Sequence, residues 1–172
     1  MIDEPALGHE CEGGALRSRE SEAPLSLRIS RLVNSQPYAV LCTKGEHHAY
    51  GSLVAFSMTE DLASAVFATP VTIRKFQLLS QCDRVALLID NRCQHPDNMM
   101  KVEAVTATGQ ARRVESGTDS EFWMRLLTSR HGYLASFVHS PTVALFCIDI
   151  VRYFHVVRFQ EVLEWVPQRI PG

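Results

Sequence analysis

From residue 38 onward the hydrophobic period of the sequence is two, and only short connections separate the segments that show it. Tyr38–Thr43, Ala49–Ser57 and Ala63–Thr69 are rich in β-branched and aromatic residues and are joined by short polar stretches. This alternation is typical of half-buried strands. Short turns can connect antiparallel strands but not parallel ones. The chain is therefore constrained to a mainly antiparallel β-structure.

The same periodicity argument predicts the remaining elements. Helices are predicted over Leu25–Ser35, Thr72–Gln81 and Thr118–Arg130, the last opened by the capping box Thr118-Asp119-Ser120-Glu121 and closed by Gly132. Further strands are predicted over Arg84–Asp90, Met100–Glu115 with a bend at Gly109, Val143–Phe159 as one or two strands, and Glu161–Trp165. Six or seven strands in hairpin order with three helices predict a mainly β (α+β) fold. We expect a six- to seven-stranded antiparallel barrel, closed or split, with peripheral helices.

Length and charge limit the organisation of the chain and its partners. A chain of 172 residues favours one domain. Residues 1–23 show no hydrophobic period, so we expect a disordered or loosely attached tail before a single domain over residues 24–172. The 17 Lys and Arg and the 19 Asp and Glu give a net charge of −2. This balance favours neither nucleic acid nor an acidic membrane as a partner.

Hydropathy and cysteine usage predict a cytoplasmic protein with no membrane partner. The longest uncharged stretch, Tyr133–Ile148, is shorter than the roughly 20 apolar residues of a spanning helix. The sequence starts Met1-Ile2-Asp3-Glu4-Pro5, with acids where a signal peptide carries Lys or Arg. The five cysteines are odd in number and contain no C-x-x-C pair, which favours reduced thiols over a disulfide framework.

The strongest local motif lies where the third strand is followed by a helix. Thr72 is the predicted N-cap, and Arg74 and Lys75 fall in the first turn. Positive side chains there oppose the helix dipole unless an anion is bound. Unpaired backbone N–H groups, a hydroxyl and two cations would together form a phosphate cradle. The alternative, a solvated basic pair on a surface helix, is equally compatible with these residues alone.

The stretch from Pro37 to Val114 resembles the flavin-binding split β-barrel superfamily, whose best-known member is pyridoxamine-phosphate oxidase. The similarity lies in the order of the motifs, none of which is specific alone. They are the strand Ala49–Phe56, the aromatic-x-Thr ending Phe67-Ala68-Thr69, the pair Arg74-Lys75 followed by Leu78 and Leu79, the strand Arg84-Val85-Ala86-Leu87, and Val105–Ala111 with Gly109. The match covers nearly half of the chain, and the C-terminal third agrees only in the order of its elements.

The resemblance implies an FMN cofactor and assigns its contacts. Arg74 and Lys75 would hold the phosphate, and Thr69 would lie beside the ribityl chain or the phosphate. Backbone groups of the run Ser52-Leu53-Val54 would line the isoalloxazine ring. Ile73 stands where the oxidase has a serine, so Thr72 is the candidate replacement hydroxyl. Members of the superfamily are usually homodimers with flavins at the interface, so we expect a homodimeric flavin-dependent oxidoreductase of unknown substrate.

Three alternatives to this assignment remain open. A deazaflavin could occupy the same site, haem could be the substrate with His155 nearby, or the chain could bind flavin without turnover. A C-terminal Arg-x-His segment of the oxidase is absent, and only Arg152-Tyr153-Phe154-His155 stands near that place, so oxidation of pyridoxamine phosphate is not expected. His155 itself is interpreted first as a hydrogen-bonded core or interface histidine. No metal site is predicted, because no set of four zinc ligands is visible. The catalytic residues stay unassigned, because no general acid or base can be identified from the sequence.

Overall fold

The computed structural model of the chain describes residues 23–45, 48–158 and 161–168. The predicted tail up to residue 22, His47 and the end of the predicted strand at Phe159 lie outside the described residues. Seven antiparallel strands form one sheet in the order β3-β2-β1-β4-β5-β6-β7. Their bounds are β1 Tyr38–Lys44, β2 Ala49–Met58, β3 Ser64–Pro70, β4 Arg84–Asp90, β5 Ala104–Arg113, β6 Val143–Val157 and β7 Glu161–Trp165.

The sheet closes into a six-stranded barrel because β3 also pairs with β6. The first half of β6 pairs with β3, and its second half pairs with β7, which extends the sheet beyond the barrel. The predicted antiparallel barrel with peripheral helices is confirmed. Val143–Val157 is one continuous strand of 15 residues, long enough to contribute to both pairings.

Four α-helices cover the barrel in the described part of the chain: α1 Leu25–Ser35, α2 Arg74–Gln81, α3 Thr118–Arg130 and the short α4 Ala135–Val138. Helix α1 buries Ile29, Leu32 and Val33 in the barrel core. Helix α3 packs outside the barrel, where Trp123 and Leu127 belong to a second apolar cluster. None of the described helices is both long and apolar enough to cross a membrane.

The strands begin and end alternately at two ends of the barrel because neighbouring strands are antiparallel. The α2 end contains the β1–β2 connection, the end of β3 and the start of β4. The α1 end contains the starts of β1 and β5 and the ends of β4 and β6. β1 spans seven residues, so the two ends lie roughly 20 Å apart at about 3.3 Å per residue. Ligand sites at the two ends would therefore be separate.

Two predicted N-caps are wrong, and both have local causes. Helix α2 begins at Arg74, since Ile73 keeps an extended backbone and is the N-cap instead of Thr72. Helix α3 is capped at Gly117, not at Thr118, because Gly117 adopts a φ of 147°. The Ser120 hydroxyl donates to the Gly117 carbonyl at 2.6 Å and accepts from its N–H at 3.3 Å, which fixes that start.

Two further boundaries differ from prediction because a 3₁₀ turn intervenes. His131 is the C-cap of α3, and the predicted cap Gly132 instead starts a 3₁₀ turn that continues to Leu134. The predicted strand from Met100 begins only at Ala104. The preceding residues form a 3₁₀ turn over Met99–Lys101, in which the Asn98 side chain accepts from the Met100 N–H at 2.9 Å.

The predicted irregularity at Gly109 is confirmed. The β5–β6 register shifts between Thr108, which pairs with Arg152, and Gly109, which pairs with Ile150, so Val151 is the extra residue. A Cβ on Gly109 would lie 2.4 Å from the Asp149 carbonyl oxygen and 2.9 Å from an Ile148 side-chain carbon. Glycine at this position therefore permits the close approach of β5 to β6 that the bulge requires.

Gly109→Ala should destabilise the barrel by about 1–3 kcal/mol, because a backbone oxygen rather than a flexible side chain meets the added methyl group. Chemical denaturation measures this free energy of unfolding. Gly132→Ala is the matched control, because an added Cβ there meets no heavy atom within 4 Å. Equal effects of the two substitutions would contradict the close approach.

Candidate functional site

The barrel has an opening between β2 and β3 at the α2 end. β2 pairs with β3 only through Phe56–Phe67, Ser57–Val66 and Met58–Ala65. From residue 55 back to residue 49, β2 pairs with β1 alone, and residues 68–70 of β3 pair with β6 alone. We call the space bounded by residues 49–55, residues 68–70 and the start of α2 the β2–β3 gap. All seven residues predicted to bind the cofactor lie at its edges.

Lys75 connects α2 to β2 across this gap. Its side chain is only 8% exposed, and its Nζ donates to the Leu53 carbonyl at 2.9 Å. Burial lowers the pKa of the Lys75 ammonium. An ammonium has three N–H donors, so a single carbonyl leaves it able to bind an anion as well. An anion in the gap would compensate part of the desolvation of this charge.

The backbone of Leu53 faces the gap. Since its carbonyl binds Lys75, it does not point toward β1. In an antiparallel ladder the N–H and C=O of one residue point to the same side, so the Leu53 N–H also faces the gap. The Leu53 side chain is 73% exposed, whereas the Val54 side chain lies in the core. Of the predicted run of three residues, Leu53 therefore presents its backbone most directly.

Arg74 lies apart from Lys75. Its Nη2 is 2.6 Å from His48 Nε2, and its guanidinium stacks over the Tyr50 ring at 5.5 Å. A guanidinium only donates, so in this contact His48 is the acceptor, through Nε2. Adjacent helical residues point in directions about 100° apart, which is why the two cations reach different parts of the gap's edge.

His48 and Tyr50 were not among the residues predicted for the site. They precede Ser52 at intervals of two, and residues at this spacing share one face of a strand. From this spacing, His48 and Tyr50 could have been predicted to lie on the same face of β2 as Ser52. Their contact with Arg74, which is predicted to bind the cofactor, depends on how α2 packs against β2 and is seen only in the structure.

Two buried hydroxyl groups lack partners at the gap. Ser52 Oγ and Thr69 Oγ1 are buried and make no hydrogen bond within the described residues. Both follow the core-facing side of their strands, two residues from Val54 and Phe67 respectively. A buried polar group without a partner costs about 1–3 kcal/mol. Native proteins usually satisfy such groups, so these hydroxyls indicate a missing ligand or water.

The start of α2 offers anion-binding groups. The N–H groups of Arg74 and Lys75 precede the first intrahelical bonds, which run from Phe76 and Gln77 to the Ile73 carbonyl. The first turn contains no acid. Thr72 is exposed at this start, although it does not cap the helix. Together these groups could bind a phosphate. The unpartnered hydroxyls of Ser52 and Thr69 could bind further polar atoms of the same ligand.

His155 is the core histidine that was predicted. Its side chain is fully buried, and its Nε2 lies 3.3 Å from Glu103 Oε2 near the α1 end. This hydrogen bond is the main reason why the pKa of Glu103 lies below its ordinary value. Among the described residues, no group of three or more His, Cys, Asp or Glu side chains could hold a metal ion.

Solved structures share this fold at low sequence identity. A heme binding protein from Mycobacterium smegmatis superposes with a TM-score of 0.72 and 14% identity, covering 84% of this chain and 59% of its own. An FAD-binding protein from Mesorhizobium loti gives 0.63 and 12%, covering 77% and 92%. A pyridoxinephosphate oxidase family protein from Clostridium acetobutylicum, related to general stress protein 26, gives 0.64 and 12%, covering 81% and 92%.

These similarities establish the fold. The chain has the split-barrel fold found in pyridoxine-phosphate-oxidase-like, flavin-binding and haem-binding proteins. It spans only 59% of the length of the Mycobacterium protein. No protein-family model and no curated protein matches the sequence.

Proposed function

We propose that the chain is an FMN-binding flavoprotein that acts as a small flavin-dependent oxidoreductase. The observation that carries this proposal is the pair of buried, unpartnered hydroxyls of Ser52 and Thr69 beside the cationic start of α2. A flavin mononucleotide needs a phosphate site and polar contacts for its ribityl chain and ring within one opening, and the β2–β3 gap offers both. Its similarity in fold to an FAD-binding protein supports this choice.

In this proposal the phosphate occupies the start of α2. Lys75 and Arg74 contact it from two sides, and the helix N–H groups and Thr72 supply neutral donors. The Thr69 hydroxyl lies beside the ribityl chain, while backbone groups of the run Ser52–Val54, above all the Leu53 N–H, orient the ring. The flavin supplies the redox chemistry, and the protein supplies anchoring, orientation and a cover against water.

We also propose a homodimer in the cytoplasm. Leu53 is 73% exposed at the edge of the gap, and Gly51 and Ala49 next to it are exposed as well. These three residues form an exposed strip of small and apolar residues beside the β2–β3 gap. A surface of this kind is typical of an interface, and we propose that a second copy of the chain packs against it. Sedimentation equilibrium should give the mass of a dimer, and a monomer at micromolar concentration would contradict this part of the proposal.

Haem coordination by His155 is less well supported than flavin binding. A solved structure with this fold is a heme binding protein, but the His155 ring has no exposed surface and its Nε2 is bound to Glu103. A deazaflavin would use the same phosphate site as FMN and is the nearer alternative. Titration with both compounds distinguishes them.

Arg74→Ala combined with Lys75→Ala should lower FMN affinity by well over tenfold, because each charge-assisted contact contributes about 1.5–3 kcal/mol. Quenching of flavin fluorescence measures this affinity. Arg125→Ala with Arg152→Ala is the matched control, since it removes two exposed arginines on α3 and β6. Lys75→Met keeps the apolar stem, so it should weaken FMN binding while the apoprotein keeps its melting temperature within a few degrees. Unchanged affinity in the Arg74/Lys75 variant would refute the site.

A further inference from the structure

A second cavity lies at the opposite end of the barrel from the β2–β3 gap. It has a volume of about 590 Å³ and is lined by α1, by the connection between β4 and β5, and by the region where β6 ends and β7 begins. Small-molecule sites commonly have volumes of about 300–1,000 Å³. We call this cavity the α1 cavity. Nothing in the proposed flavin function uses it.

The α1 cavity is positively charged. Four cationic side chains line it, and they come from three separate parts of the chain: Arg28 and Arg31 from α1, Lys101 from the β4–β5 connection, and Arg158 after β6. Two carboxylates, Glu103 and Glu161, also line it, which leaves an excess of two positive charges. The chain as a whole carries a net charge of −2. The positive charge is therefore local to this cavity.

Both carboxylates are already engaged. Glu103 is hydrogen-bonded to His155 at 3.3 Å, and Glu161 lies 3.9 Å from Arg158. Within the described residues, Arg31 and Lys101 form no ion pair. Converging like charges repel one another, and the repulsion is relieved when an anion binds between them. The fold thus holds four cations from separate segments around one space with only two carboxylates to balance them.

The rest of the lining indicates an organic ligand rather than a bare inorganic ion. Apolar surface comes from Leu32, Val102, Val157 and Met100, and further polar groups come from Ser35, Asn91 and His95. A mixed lining of this kind suits a molecule with an apolar body and anionic substituents. The cations come from separate segments, α1 and the β4–β5 connection, so the cavity can accept more than one anionic group.

We infer that the α1 cavity is a binding site for a small organic molecule with two or more anionic groups, of the phosphate or carboxylate class. Arg28 and Arg31 bind one anionic group and Lys101 the other. Arg158, partly balanced by Glu161, adds a further positive charge to the lining. The site is independent of FMN binding, since the α1 and α2 ends of the barrel lie roughly 20 Å apart.

Calorimetric titration with pyrophosphate and with citrate tests this inference. Both probes are titrated into the Arg74→Ala/Lys75→Ala variant, in which the anion site at α2 has been removed. Saturable binding of either probe is expected, and the probe that binds identifies the phosphate or the carboxylate class. Adding Arg28→Gln and Lys101→Gln should weaken this binding at least tenfold. Adding Arg125→Gln, an exposed arginine on α3, should leave it unchanged.

The single variant Lys101→Gln distinguishes loss of probe binding from loss of folding. Lys101 is exposed and has no ion pair among the described residues, so its loss should not change the melting temperature but should weaken probe binding severalfold. The inference is overturned if neither probe saturates at millimolar concentration, or if the Arg28/Lys101 substitutions leave binding intact. FMN titration of the Arg28→Gln/Lys101→Gln variant tests the flavin site separately, and failure of one site does not imply failure of the other.

Discussion

β3 pairs with β6 along its whole length but with β2 at only three positions. The architecture of the candidate site depends on this difference in strand pairing. Complete pairing of β2 with β3 would seal the barrel and occupy the backbone of residues 49–55. Because β2 pairs with β3 only from Phe56 onward, and β3 with β2 only as far as Phe67, backbone groups and two hydroxyls face an opening instead. The barrel remains closed by the β3–β6 pairing, so the opening does not disrupt the core.

The bond from Lys75 to the Leu53 carbonyl holds the opening in a defined shape. A buried ammonium is costly unless it is well paired, and one carbonyl only partly compensates this charge. The desolvation of Lys75, the dipole of α2 and the unpartnered hydroxyls all favour the same kind of occupant, a ligand with a phosphate and further polar atoms. At the α1 end, four cations from separate segments outnumber two carboxylates, so the charge there also favours an anionic ligand.

The barrel could be predicted from the sequence because strand periodicity and short connections leave few topologies, and Gly109 indicated the bulge. The N-caps of α2 and α3 could not be predicted, since the extended backbone of Ile73 and the positive φ of Gly117 leave no pattern in the sequence. Arg74 and Lys75 were predicted as a pair, but their separation depends on tertiary contacts with His48 and Leu53. The α1 cavity combines residues that are more than 100 positions apart, such as Arg28 and Arg158, and no local pattern reveals it.

A crystal structure of the chain grown with saturating FMN tests the central claim most directly. We expect the phosphate within hydrogen-bond distance of Lys75 Nζ and the N–H groups at the start of α2, with the ring beside the Leu53 backbone. Ser52 Oγ and Thr69 Oγ1 should gain partners from the flavin or from water bound with it. A flavin bound elsewhere, or a β2–β3 gap that stays without flavin at saturating FMN, would contradict the account.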